Sequence, residues 1–342
     1  MDIGLFNQFN LREGADYHQT LKEWLDLAVE AEDLGVDSFW FGETHFRPNR
    51  SMLSSPLIGA SAVAARTSQM KVGTAVQVLP LADPVRIAEE AALVDHLSDG
   101  RLVFGVGRSS FIDSYNGFNI NYEESRDRFR ESLEVIQQAW GDAPFSYEGE
   151  YYTVNNVSVV PKPYQKPHPP IRMAAESQDT FPMAGRMNLP IFMRFQMPIP
   201  QLKDLLRQYG QAREEAGYSG PNDVILQIPV YVADTAEQAR SEPEASVMLA
   251  QQRRSLEQLQ NSSGDAETYE RMRRMREGGY ESFLERAAFG TPEAVENRLR
   301  MFVEELGITG FALDPNSGGQ IPRERVLNSM RLLMEEVAPR FK

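Results

Sequence analysis

The chain has 342 residues, 24 Gly, 21 Pro and no Cys, and is 42% hydrophobic and 25% charged, with 35 basic against 49 acidic side chains. That length fits one large domain or two small ones, and the absence of Cys removes disulfides, thiolate nucleophiles, iron–sulfur clusters and Cys-bound zinc. A net charge of -14 argues against broad contact with nucleic acid or an anionic membrane, which both need basic surface.

The N-terminus, MDIGLFNQF, has no basic leader and reads as a first strand over Ile3 to Phe9. Leu21, Trp24, Leu25, Ala28 and Ala31 then keep helical spacing until Gly35. Ser38 to Phe41 is a second strand and Pro56 to Arg66 a second helix. Lys71 to Leu79 is a third, nearly continuous apolar strand of the kind buried on both faces. Asp83-Pro84 opens the third helix, with Asp as N-cap and Pro at the first helical position. Leu102 to Val106 is the fourth strand, and Phe129, Leu133, Ile136 and Trp140 mark the fourth helix. A polar excursion follows that alternates around Gly149 as a hairpin and then becomes a Pro-rich strap.

Strands at Ile171 to Ala175, Pro190 to Arg194, Val224 to Val232 and Thr309 to Leu313 complete the series. The helices between and after them fall at 180 to 187, 200 to 216, Val295 to Leu306 and Val326 to Val337. Eight strands alternating with eight helices predict a (β/α)8 TIM barrel, built as a single domain over 1–342. Residues 235–288, dense in Glu, Arg and Gln, break the rhythm after strand seven. They read either as a mobile, lid-like insertion over the barrel mouth or as solvated surface helix. No apolar run approaches the ~20 residues of a membrane span, so the expectation is a cytoplasmic protein.

Barrel active sites lie at the C-terminal ends of the strands. After strand two comes Glu43-Thr44-His45, after strand four Gly105-Val106-Gly107-Arg108-Ser109-Ser110, and after strand five Glu176-Ser177-Gln178-Asp179-Thr180. Arg126 lies three residues before Phe129 and seven before Leu133, on what reads as the inward stripe of helix four, and opposes the helix dipole there. Such a cation calls for an anionic partner, either a protein carboxylate or a bound phosphate. Arg108 follows two glycines that let backbone approach a ligand, so the two arginines suggest a phosphate clamp. Pro182 sets the next helix start near Thr180, which leaves N–H groups beside the Ser177 and Thr180 hydroxyls as an anion site. Of the four His residues only His45 stands at a strand end, as an acid/base or as a satisfied structural side chain, and no metal-binding spacing occurs.

The run VGTAVQVLPLADPVRIAEEAALVDHLSDGRLVFGVGRSS resembles the central segment of the bacterial luciferase family of flavin-dependent monooxygenases. GETHF, YEESRDRF, PKPYQKPHPPIRMAAES and FGTPEAV match in order, so the resemblance spans nearly the whole chain outside 235–288. It implies a barrel holding reduced FMN, commonly as a homodimer, with oxygen transferred from dioxygen to a small organic substrate through a C4a-peroxyflavin. FMN would be reduced by a separate flavin reductase or by NAD(P)H directly. Residue by residue, Arg108 and Arg126 match phosphate-binding arginines, with Ser110 beside the first. Glu176, Ser177 and Thr180 match the same phosphate pocket. The family's non-proline cis peptide falls at Ala75–Val76.

Where luciferase-type members carry two adjacent His, this chain has Thr44 and His45, so His45 becomes the expected polar group at the reacting centre and Thr44 its hydrogen-bonding neighbour. Relatives on this barrel also use a deazaflavin for hydride transfer without oxygen, and a non-catalytic flavin-binding protein is a third reading. A phosphate-sugar isomerase would need Glu43 or Glu176 as its base.

Overall fold

Strand follows strand around a closed ring in chain order. The computed structural model describes residues 1–48, 50–261 and 279–342. Its strands are β1 (Asp2–Asn7), β2 (Ser38–Phe41), β3 (Lys71–Thr74), β4 (Gln77–Val78), β5 (Leu102–Gly107), β6 (Phe145–Glu148), β7 (Thr153–Val157), β8 (Ile171–Ala174), β9 (Ile191–Arg194), β10 (Val224–Val232), β11 (Ala288–Gly290) and β12 (Gly310–Asp314). All pairings in the ring are parallel: β1 to β2, β2 to β3, β3 and β4 to β5, then β5 to β8, β9, β10 and β12. It closes where Asp2 stands opposite Gly310. The expected (β/α)8 barrel is therefore the fold, in a single domain.

The helices around the ring are α1 (Tyr17–Asp33), α2 (Pro56–Ala64), α3 (Pro84–Leu97), α4 (Ile112–Gly117), α5 (Ser125–Ala139), α6 (Thr180–Arg186), α7 (Ile199–Glu215), α8 (Ala236–Asn261), α9 (Gly279–Leu284), α10 (Pro292–Leu306) and α11 (Arg323–Leu332). Their starts follow local chemistry. Asp83 accepts from the Arg86 N–H at 3.0 Å with Pro84 behind it, and Thr291 caps α10 ahead of Pro292. Gly307, at φ 64°, ends α10 in the left-handed region where a side chain is disfavoured.

Strand residues alternate between two cores. Ile3, Leu5, Phe39, Phe41, Val72 and Phe104 face the helices, while Phe6, Trp40, Phe192, Ile225 and Ala312 pack inside the ring. Trp40 fills the lower barrel. A Cβ on Gly73 would come within 2.4 Å of its ring, which explains a glycine in mid-strand.

Strand three is interrupted rather than continuous. From Gly73 to Gln77 the chain takes four steps, against three from Val103 to Val106 on β5. One extra residue is thus absorbed at Thr74–Val76 as a bulge. The Thr74 hydroxyl donates to the Gly105 carbonyl at 2.6 Å across the gap. The hairpin at Gly149 forms as β6 and β7, docked on α5 because the Glu131 carboxylate accepts from the N–H groups of Glu150, Tyr151 and Tyr152.

Within 235–288 lie α8, α9 and the start of β11, which extends the sheet beside β10. Ser246 on α8 donates to the Ser317 carbonyl at 2.8 Å and accepts from Gln320 N–H at 3.0 Å, fixing that helix to the turn after β12. Residues 262–278 of the expected mouth-covering stretch lie outside the described residues. Among the described residues no helix is long and apolar enough to cross a membrane.

Candidate active site

A cavity of about 230 Å³ opens at the C-terminal ends of the strands, near the lower end of ligand-site volumes. Its floor is the top of the inner core, Phe6 and Phe192, with Gln227 beside them. One wall carries Ala75 and Val76, joined by a cis peptide as expected. Arg108 and Ser110 follow β5, and Glu176, Ser177 and Thr180 follow β8. The three predicted strand-end segments thus converge on one space.

Arg108 is the cation the site leaves over. Its Nη1 donates to Ser125 Oγ at 2.9 Å, and it forms no ion pair among the described residues. Its carbonyl is gripped by the phenol of Tyr115. Burial pushes that phenol's pKa well up, so it stays a neutral donor. Ser109 at φ 60° turns the chain out of the strand and presents Ser110 to the cavity.

Two expectations here need correction. The N–H groups of Glu176 and Ser177 are not free, because both donate to Thr180 Oγ1, at 3.2 and 3.1 Å. That hydroxyl in turn donates to the Ser177 carbonyl at 2.7 Å, so it organises the turn itself. Gly105 and Gly107 also answer to protein rather than to ligand. A Cβ on Gly105 would stand 1.8 Å from the Thr74 carbonyl oxygen, and one on Gly107 2.6 Å from Val76 Cγ2. The bulge in strand three occupies the room a ligand was expected to use.

Arg126 is also not on an inward stripe. Its side chain is 53% exposed and pairs with Asp179 at 2.7 Å. At the first turn of α5 the buried face is carried by Ser125 and Phe129, which leaves Arg126 at the rim. Glu176 faces the cavity wall with its carboxylate engaged by Arg194.

Around strand two the residues divide. Thr44 lines the cavity and donates its N–H to the Leu53 carbonyl at 3.0 Å. His45 turns away from it: the cavity lining omits it, its ring meets the edge of Phe118 at 4.8 Å, and Nε2 lies 2.8 Å from Glu43 Oε1. Glu43, expected at this strand end only as the base of an isomerase, is the carboxylate buried behind Thr44 and His45. Its side chain is 3% exposed, and Oε2 accepts from Gln77 Nε2 at 2.7 Å and from Val78 N–H at 2.9 Å. Burial raises its pKa above the ordinary carboxyl value, while the His45 and Val78 hydrogen bonds and the His45 charge pull it back. A carboxylate directly at a strand end was the signal available for it. Gln227 and Arg194, deeper in the mouth, had no sequence signal beyond strand alternation. Among the described residues no group of three His, Asp or Glu is disposed to hold a metal.

A family model described as luciferase-like monooxygenase matches residues 1–310. Limonene 1,2-monooxygenase of Rhodococcus erythropolis is 25% identical over 346 aligned residues, 100% of this chain and 87% of that one. Against alkanal monooxygenase alpha chains, at 28% identity, the chain covers 55–58% of their length. The oxygenating constituent of 3,6-diketocamphane monooxygenase from Pseudomonas putida, solved in complex with FMN, superposes with a TM-score of 0.85 at 21% identity, over 100% of this chain and 99% of that one. An F420-dependent secondary alcohol dehydrogenase superposes at 0.77 with 17% identity, over 100% and 99%. At those identities the two structures share the fold with this chain.

Proposed function

The chain belongs to the luciferase-like monooxygenase family, and from that premise we propose that it is an FMN-dependent monooxygenase acting on a small organic substrate. The observation that carries the reading is Arg108, a guanidinium at the wall of a strand-end cavity with no carboxylate of its own. Its donor set suits a phosphate, and the hydroxyls of Ser110 and Ser177 line the same cavity, while Thr180 holds the turn that presents Ser177. Arg126 would add a second charge from the rim by exchanging Asp179 for phosphate. Ala75 and Val76 would form the wall against which the flavin ring lies.

When bound, reduced FMN supplies the activation of dioxygen. The chain's part is to bind, orient and keep water out. Phe6, Phe192 and Trp40 close the barrel from below with apolar surface. Thr44 offers a hydroxyl to the reacting centre, and His45 acts from behind it through Glu43, whose carboxyl holds or releases a proton at Oε1. We further propose a homodimer through α2 and α3, which leave Ile58, Leu93 and Leu97 exposed. Reducing equivalents would come from a separate reductase or from NAD(P)H.

The test is an anaerobic titration of the protein with reduced FMN, followed by rapid mixing with oxygenated buffer. A flavin absorbance transient that outlasts that of free flavin supports the monooxygenase. Tight binding with no such transient supports a flavin-binding protein. Failure to bind FMN, with binding of a deazaflavin in the same assay, replaces the cofactor and the reaction class together.

A further inference from the structure

Two glutamines are buried at the barrel mouth, Gln77 at 5% and Gln227 at 9% exposed. The amide of Gln77 is engaged by the Glu43 carboxylate. The amide of Gln227 has no protein partner among the described residues, and its polar atoms are not sealed off but open onto the cavity. It stands two residues after Ile225, whose side chain belongs to the inner core, so strand alternation turns Gln227 into the ring as well. There it lines the cavity floor between Phe6 and Phe192.

The charges on the two strands beside Gln227 are already matched, which leaves Arg108 after β5 as the spare cation of the cavity. Arg194, the register neighbour of Gln227 on β9, is taken by Glu176, and Asp314 on β12 accepts from Ser317 Oγ and the Asn316 N–H. The floor therefore offers apolar surface and one neutral group able both to donate and to accept. A charged ligand end would find no spare counter-ion on β9 or β12, the strands that flank Gln227. A bare hydrocarbon would leave the amide desolvated and unpaired.

We propose that Gln227 is a specificity-determining residue that hydrogen-bonds a neutral oxygen function, a carbonyl or hydroxyl, on the organic substrate. The proposal deepens the monooxygenase reading and rests on it for the word substrate. Its test separates the two.

Cyclohexanone and methylenecyclohexane, which share a ring and differ in the oxygen, are titrated by ligand-observed NMR against the full chain, with and without reduced FMN. The wild type is expected to bind the ketone about tenfold more tightly, the value of one hydrogen bond of about 1.4 kcal/mol. In Gln227→Met the preference falls to near unity while reduced-FMN affinity stays within about twofold. Gln227→Asn, which keeps the amide but draws it back, is expected to give an intermediate preference and serves if the Met variant does not fold. Equal binding of the two probes by the wild type, or binding of neither, overturns the proposal. A Met variant that keeps the ketone preference but loses reduced FMN tenfold also overturns it, because the amide then belongs to the flavin. If the wild type binds no FMN, the cofactor reading fails, while a ketone preference lost in the Met variant still assigns Gln227.

Discussion

Two arginines bracket the same strand and behave in opposite ways. Arg101, just before β5, spends its guanidinium on the protein. It donates to the carbonyls of Ala64, Thr67, Met70 and Ser98 and to the Thr67 hydroxyl, at 2.7 to 3.0 Å. It thereby closes the C-terminal end of α2 and the entry to β3. Arg108, just after β5, gives one side-chain hydrogen bond, to Ser125. The same contrast runs through the barrel ends. At the bottom Lys71 meets Asp2, Ser38 bridges Asp2 to Trp40, and Arg172 meets Asp223. At the mouth Arg108 and Gln227 carry polar capacity that the fold does not consume. Stability and function are thus spatially divided along six residues of one strand.

The sharpest way to break that division is to exchange the roles of the two arginines. Arg101→Ala should lower unfolding free energy by roughly 2–4 kcal/mol, since several buried carbonyls lose their donor together. Its reduced-FMN affinity per folded molecule should not change; denaturant midpoints and flavin titration measure both. Arg108→Ala should do the reverse, with stability within about 0.5 kcal/mol of wild type and FMN affinity lower by roughly 10- to 100-fold, the loss of one charge-assisted contact. Equal stability losses in the two variants would erase the distinction.

Glu43 sharpens it through pH. A carboxyl whose folded pKa is raised contributes stability that is fully present below its ordinary value and is lost as pH rises through the raised one. Wild type should therefore lose stability relative to Glu43→Gln as pH rises above the ordinary carboxyl range, seen as a urea midpoint that falls relative to that of the variant. A wild-type midpoint that instead rises relative to the variant with pH would mean that the hydrogen bonds from His45, Gln77 and Val78 outweigh burial. The smallest effect belongs to Arg126→Ala. Its exposed pair with Asp179 should be worth less than about 1 kcal/mol of stability, and its effect on FMN affinity should stay below that of Arg108→Ala.

What the sequence made legible follows from how local each signal is. Asp83-Pro84 and Thr291-Pro292 specify helix starts within a few residues, and both are where composition puts them. The apolar run of strand three was readable, but its bulge depends on Thr74 meeting Gly105 across the sheet, a contact of two distant segments. The same bulge explains why Gly105 and Gly107 face protein rather than ligand, the first against Thr74 and the second against Val76. Helical spacing put Arg126 on the inward side because a stripe fixes its face only to about a quarter turn, and the first turn of α5 is where that uncertainty matters. His45 was legible as a strand-end residue, yet a one-residue alternation decides whether a side chain enters the cavity, and Thr44 holds that place.

The pairing of β1 with β12 also governs how the chain must be made. The first stave of the ring finds its second neighbour only when Gly310 has been synthesised, near the far end of the sequence. Until then β1 keeps one unpaired edge, and so does whichever strand is newest, the condition under which sheets join to the wrong partner. Contacts of such long sequence separation form slowly. A chain stalled before β12 therefore presents two open strand edges at once, on β1 and on its newest strand.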